Sequence, residues 1–255
     1  MAAPLKEDNS DGIFGQFLHE LRLSAPNQTW IHRGFSPIRR ALPAPLSRFF
    51  RSAITALFTP YYSFVRNGHF RSSFVNRAVN CRGEPIPWYT YPCIHYLTKR
   101  DFRSRRVLEM GAGQSTLWWS SVASDVVALE SDPDWHAKLS TILPANATIH
   151  LVAVDTPANC LRTVEKATQG SGAFDVIVID GLWRADLIPL AIDRVTRDGC
   201  IICDNSDGYG IYDGFHGKAF QRIDFYGNAP GVIMPHATSI FFRNSCFLFN
   251  GSTPI

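Results

Sequence analysis

The chain has 255 residues, 45% of them hydrophobic and 18% charged, a length suited to one compact domain with an appendage or to two small domains. Near-average composition excludes a collagenous, coiled-coil or wholly disordered chain. No run approaches the roughly 18 apolar residues of a membrane span, and residues 1–30 lack the apolar core of a secretory signal.

The net charge of +3 hides a split: residues 1–83 hold 11 Lys/Arg against 4 Asp/Glu, and residues 84–255 hold 14 against 18. Residues 21–83 contain ten arginines, no lysine and no acid. Phe49, Phe50, Phe58, Tyr61, Tyr62 and Phe64 lie in the same stretch. We therefore read residues 1–83 as a basic N-terminal extension or cap and residues 84–255 as the main domain.

In chain order, residues 1–20 are polar and loose, and prolines then punctuate residues 20–60. Leu46–Leu57 has the spacing of a short amphipathic helix. Residues 68–92 read as a connector, followed by a helix over Pro92–Lys99. From residue 106, strands and helices alternate. Val107–Met110 is a strand before Gly111-Ala112-Gly113, and Ser115–Val122 a helix. Asp125–Leu129 is a strand and Pro133–Leu143 a helix. Thr148–Val154 is a strand, with a helix over Asn159–Thr168. Phe174–Ile179 is a strand and Leu187–Val195 a helix, and Cys200–Cys203 is the fifth strand. Arg222–Tyr226, Thr238–Arg243 and Cys246–Phe249 are strand-like. Near-continuous apolar strands alternating with helices imply an α/β fold, Rossmann-like and doubly wound around a mostly parallel sheet of seven strands.

Six cysteines are scattered, as free thiols in a reducing compartment would be. Cys200 and Cys203 form a C-x-x-C inside an apolar strand, where alternation puts their sulfurs on opposite faces.

Each predicted strand ends in a carboxylate: Glu109, Glu130, Asp155, Asp180 and Asp204, spaced 21, 25, 25 and 24 residues apart. Ligands of open α/β sheets bind at the strands' carboxyl ends, so these acids are expected along one crevice, although Asp and Glu also serve as helix caps. Gly111 and Gly113 permit a tight turn and close approach of a ligand. A carboxylate at Glu109, aimed at that turn, repels a pyrophosphate and attracts an ammonium or sulfonium. Glu130 can take both hydroxyls of a ribose, and Thr116 stands where a dinucleotide fingerprint has its third glycine. Adenosine with a cationic tail fits better than NAD.

Val107–Thr116, Val126–Glu130, Phe174–Asp180 and Cys200–Asn205 together resemble the motifs of class I S-adenosylmethionine-dependent methyltransferases. The resemblance implies that Glu109, Gly111 and Gly113 hold the methionine end, with Ser115 also at the cofactor, that Glu130 holds the ribose, and that Asp155 lies near the adenine, a helix cap being the alternative; Asp180 is either a cofactor-side acid or a metal ligand. It also suggests that Pro87–Pro92 covers the cofactor, the alternative being a packed aromatic connector. Asp180 and Asp204-Asn205 are similar to the metal site of O-methyltransferases of the catechol and caffeoyl-CoA type, which implies Mg²⁺ on Asp180, Asp204 and Asn205. The lysine of that pattern is missing, and Arg184 lies four residues beyond Asp180. Asp180, His216 and Asp207 are the candidates for catalytic acid–base work, with His95 behind them. Trp118 and Trp119 are expected to pack in the core.

The expected activity is methylation of a hydroxyl on a small molecule, lipid or sugar. The alternatives are an NAD-type oxidoreductase and a non-catalytic binding protein on the same scaffold. The Arg-rich segment could cap the acceptor pocket, read an anionic acceptor, touch an anionic membrane surface or serve as an organelle transit sequence. No Lys/Arg run exceeds two residues, so nucleic acid is not an expected partner. The expected location is the cytoplasm, with peripheral membrane contact through residues 21–83.

Overall fold

The protein is described by a computed structural model over residues 43–249. The expectations for residues 1–42 and 250–255 lie outside these described residues. The chain divides into two compact units, Met1–Pro60 and Tyr61–Ile255. The first contributes helix α1, Ala44–Pro60, over the region where the sequence predicts one.

The second unit opens with a π-helical turn, Tyr61–Arg66, and helix α2, His69–Val75. Residues 61–83 thus fold within the larger unit rather than with the first 60. Ile86 N–H donates to Ala78 O at 3.1 Å across this junction, and within the segment Gly68 sits at φ +84°, where a Cβ would lie 2.3 Å from the carbonyl oxygen of Val79. Ser72 fixes the same contact by donating its hydroxyl to Val79 O at 2.9 Å and accepting Val79 N–H at 3.0 Å. Helix α3 follows at Tyr91–Leu97, opened by Pro92 in its first turn.

Strand β1 is Arg106–Met110, then α4 Gln114–Val122, β2 Asp125–Glu130, α5 Pro133–Ser140 and β3 Ala147–Leu151. Next come α6 Pro157–Ala167, β4 Phe174–Ile179, α7 Arg184–Arg194 and β5 Val195–Cys203. A one-turn helix α8, Ile211–Gly214, precedes β6 Gln221–Gly227 and β7 His236–Phe242. The single sheet runs β3-β2-β1-β4-β5-β7-β6, parallel except for β7, which pairs antiparallel with both neighbours. This is the expected α/β architecture, and its order reverses between β1 and β4, where doubly wound sheets open a crevice.

Burial alternates with period two. On β1 and β4, Val107, Val176 and Val178 face one apolar layer, and Leu108, Ile177 and Ile179 face the other. Cys200 and Cys203 divide between the same two layers, so the C-x-x-C is a pair of core residues. Trp119 is fully buried, edge-on to Phe102, and its indole N–H donates to the Tyr89 hydroxyl at 3.1 Å.

Three expectations shift. β3 ends at Leu151 rather than Val154, because Pro157 starts a helix capped by the Thr156 hydroxyl. Cys246–Phe249 is a turn, not a strand, with Cys246, Phe247 and Leu248 buried and Phe249 exposed: Phe247 N–H donates to Asp198 O, and no ladder forms there among the described residues. β5 begins five residues earlier than its apolar stretch, at Val195.

Candidate functional site

A cleft of about 570 Å³ opens at the carboxyl ends of β1, β2, β4 and β5. Its floor is the turn between β1 and α4. Gly111 sits at φ +109°, and a Cβ there would lie 2.7 Å from the backbone of Asp180 and Gly181, so only glycine lets β1 pass β4 this closely. Gly113 is extended, and a Cβ there would meet only Ser115 Oγ at 3.8 Å. Gly111, Gly113 and Ser115 all line the cleft, as expected.

Thr116 locks the turn. Its hydroxyl accepts Gly113 N–H at 2.9 Å and donates to Glu109 Oε2 at 2.5 Å. The residue in the place of a third glycine is therefore a strut between turn and strand. Glu109 is wholly buried behind the turn, off the cleft wall, and its Oε1 has no hydrogen-bond partner. Burial pushes its pKa up to about 7, against the lowering effect of the Ser115 and Thr116 hydroxyls.

Glu130 ends β2 and lines the cleft. Its Oε1 accepts the N–H groups of Ser131 and Asp132 at 2.7 and 2.8 Å, which fixes the carboxylate and leaves Oε2 for a ligand. Trp135, on the adjoining α5, donates its indole N–H to Ala112 O at 3.0 Å and forms another wall. Asp155 does not join this group. It is exposed beyond the end of β3 and bonds Asn159 in the first turn of α6, so it acts as a local helix-start residue.

The far side of the cleft holds Asp180, Asp204 and Asn205. Their surroundings correct the metal expectation, because the guanidinium of Arg184 lies among them. Arg184 meets Asp180 Oδ1 at 3.0 Å, Asn205 Oδ1 at 3.0 Å and the carbonyl of Asp204 at 2.5 Å. Asp204 Oδ1 is already taken by the Thr238 hydroxyl at 2.6 Å. Among the described residues no group of three or more His, Cys, Asp and Glu is arranged to hold a metal ion. The donors do not fit Mg²⁺, since a cation already engages them. Burial raises the pKa of Asp180, the neighbouring Asp204 carboxylate adds to this, and Arg184 opposes it.

The sequence does not reveal His236. It starts β7, lines the cleft, and sets Nε2 3.4 Å from Asp204 Oδ1, an ion-pair contact without an aligned hydrogen bond. Contact with Asp204 raises its pKa despite partial burial. No local motif marks it, because antiparallel pairing of β5 with β7 brings residues 204 and 236 together. The expected bases stand elsewhere. His216 is exposed just after α8, and Asp207 is exposed and accepts Ala237 N–H at 3.2 Å. Neither lines the cleft. His95 is also exposed, on α3.

Pro87–Pro92 divides between its two expected roles. Trp88 lines the cleft and donates its indole N–H to Pro230 O at 2.7 Å, whereas Tyr89 and Thr90 are wholly buried. Thr90 N–H donates to Thr238 Oγ1 at 2.9 Å, and that hydroxyl in turn reaches Asp204. Arg77 also lines the cleft, exposed and without an ion pair among the described residues.

No family model matches the chain, and no curated protein sequence does. Among solved structures it is similar to a putative caffeoyl-CoA O-methyltransferase from Staphylococcus aureus, at 11% identity and TM-score 0.47, over 77% of this chain and 100% of that one. It is similar to a precorrin-6y C5,15-methyltransferase from Geobacter metallireducens, at 13% identity and TM-score 0.46, over 60% and 87%. A third is a putative methyltransferase from Streptococcus mutans in complex with SAH, at 14% identity and TM-score 0.40, over 59% and 96%. At these identities and scores none of the three bears on the reaction.

Proposed function

We propose that the chain is an S-adenosylmethionine-dependent methyltransferase acting on an acceptor hydroxyl. One observation carries the reading. The cleft has a glycine turn as its floor and a Glu130 carboxylate held through Oε1, and behind the turn lies the buried Glu109 carboxylate with an orphaned oxygen. These groups suit an adenosine with a cationic tail, and the pyrophosphate of NAD would meet negative charge there.

When bound, the cofactor supplies an electrophilic methyl group on a sulfonium. Glu130 takes ribose hydroxyls, and Trp135 offers an aromatic wall beside them. Gly111 and Gly113 let the backbone approach the tail, and Asp180 lies across the cleft from that turn. His236 lines the cleft beside Asp204, and in its neutral form it can receive the proton of an acceptor hydroxyl. The protein's contribution is chiefly the alignment of acceptor and methyl donor.

Arg77, without an ion pair among the described residues, gives this end of the cleft a positive charge, which favours a small-molecule, lipid or sugar acceptor bearing an anionic group. We also propose that the protein is cytoplasmic and touches anionic membrane surfaces through residues 21–83. In support, α1 buries none of its residues, and Phe49 and Leu57 are 66% and 74% exposed on a segment whose only charges are arginines.

Isothermal titration with S-adenosylhomocysteine and with NAD⁺ tests the core of the reading. The expected result is binding of the first alone, weakened about tenfold or more by Glu130→Ala. Binding of NAD⁺ alone would overturn it.

A further inference from the structure

Arg184 is the first residue of α7 and only 10% exposed in its side chain. A positive charge at a helix N-terminus faces the unfavourable end of the macrodipole, and burying it is costlier still. The surroundings compensate through oxygen. Nε donates to Gly181 O at 3.0 Å, and Nη2 reaches both the carbonyl of Asp180 at 3.2 Å and its carboxylate. Nη1 reaches the carbonyl of Asp204 and the side-chain oxygen of Asn205. The Tyr209 ring lies 4.7 Å from the guanidinium carbon. Trp183 and Asn205 hold left-handed backbone, at φ 56° and 49°, a conformation that asparagine adopts readily but that is unusual for a side chain as bulky as tryptophan. Five oxygens from the ends of β4 and β5 thus converge on one guanidinium.

Hard oxygen donors gathered at adjacent strand ends are also what a divalent cation would recruit. We propose that Arg184 is a built-in cation that replaces a divalent metal at the β4–β5 end of the cleft. Its fixed charge does the holding a metal would do: it neutralises Asp180, orients Asn205 and lends positive potential to the acceptor side. With the guanidinium in place, a divalent ion would meet like charge and donors already engaged. A neutral residue at position 184 would free those oxygens and open the site to a metal.

The test titrates Mn²⁺ into the full chain, with and without S-adenosylhomocysteine, and reads the free ion by electron paramagnetic resonance. The wild type and Arg184→Lys are expected to take up no Mn²⁺ at the site. Arg184→Ala is expected to bind one ion at least about tenfold more tightly than the wild type, and adding Asp180→Asn should abolish that gain. If Arg184→Ala does not fold, Arg184→Gln carries the same expectation with a side chain of similar length. Uptake of one Mn²⁺ by the wild type that Asp180→Asn removes would overturn the proposal. So would the absence of any gain in the folded neutral variant. Binding of S-adenosylhomocysteine, followed on the same samples, reports separately on methyl transfer, so either reading can fail alone.

Discussion

Replacing Glu109 by glutamine isolates the cost of a buried charge behind the glycine turn. The carboxyl ordinarily titrates at 4.5 and is pushed to about 7 in the folded protein, chiefly by burial. A raised acid favours folding in its protonated form. That contribution is fully present below the unfolded value and is lost as pH rises through the folded one, so the window runs from pH 4.5 to about 7. Over roughly 2.5 units, at about 1.4 kcal/mol per unit, the ionised form costs the native state about 3 kcal/mol above that window. About 2 kcal/mol of this cost develops between roughly pH 5.5 and 8. Glutamine keeps an acceptor for the Thr116 hydroxyl but does not ionise, and its buried amide adds a penalty of about 1–3 kcal/mol that does not vary with pH. The assay is urea unfolding of both proteins at the two pH values, followed by tryptophan fluorescence. The wild type should lose about 2 kcal/mol relative to Glu109→Gln on going to the higher pH, whatever the offset between them. Parallel pH profiles would refute the assignment of a buried, late-titrating carboxyl.

The two cleft glycines should fail differently. Gly111→Ala forces a positive φ and a backbone clash, so unfolding should become easier by about 2–4 kcal/mol; an unchanged urea midpoint would contradict the close approach of β1 to β4. Gly113→Ala meets only Ser115 Oγ, at an ordinary contact distance of 3.8 Å, and should keep its unfolding midpoint while S-adenosylhomocysteine binds about tenfold more weakly in isothermal titration, because the methyl enters the cleft; unchanged affinity would move the ligand off this turn. His236→Gln should leave S-adenosylhomocysteine affinity within about twofold and lower methyl transfer to hydroxylated anionic acceptors by about 100-fold. Undiminished release of S-adenosylhomocysteine product would remove His236 from acid–base work.

Local chemistry explains which parts of this protein the sequence exposes. The strands from β1 to β5 are legible because each is an apolar run closed by a carboxylate or glycine, and the β–α alternation then dictates a parallel sheet. Gly111, Gly113, Ser115 and Glu130 are legible for the same reason, since they lie within a few residues of a strand end. The readings weaken where the decisive contact is long-range. His236 reaches Asp204 only through the antiparallel insertion of β7 beside β5. Asp155 shares the periodic spacing of the other acids, but β3 stops four residues earlier and leaves it in solvent. The two aspartates and the asparagine look like metal ligands by residue type. Arg184 alters that meaning, and its direction depends on the left-handed turn at Trp183, which the residue type gives no reason to expect.

The chain Thr90–Thr238–Asp204 joins a connector ahead of the sheet to its fifth and seventh strands. This gives the two halves of the cleft different dependence on completing the fold. A chain assembled only through β4 already has the glycine turn, Glu130 and Asp180, and thus the groups assigned to the cofactor. Asp204 arrives with β5, and His236 and Thr238 only with β7, after most of the polypeptide is in place. The groups assigned to the methyl donor thus come from the strands up to β4, and those assigned to the acceptor come from the strands that follow it.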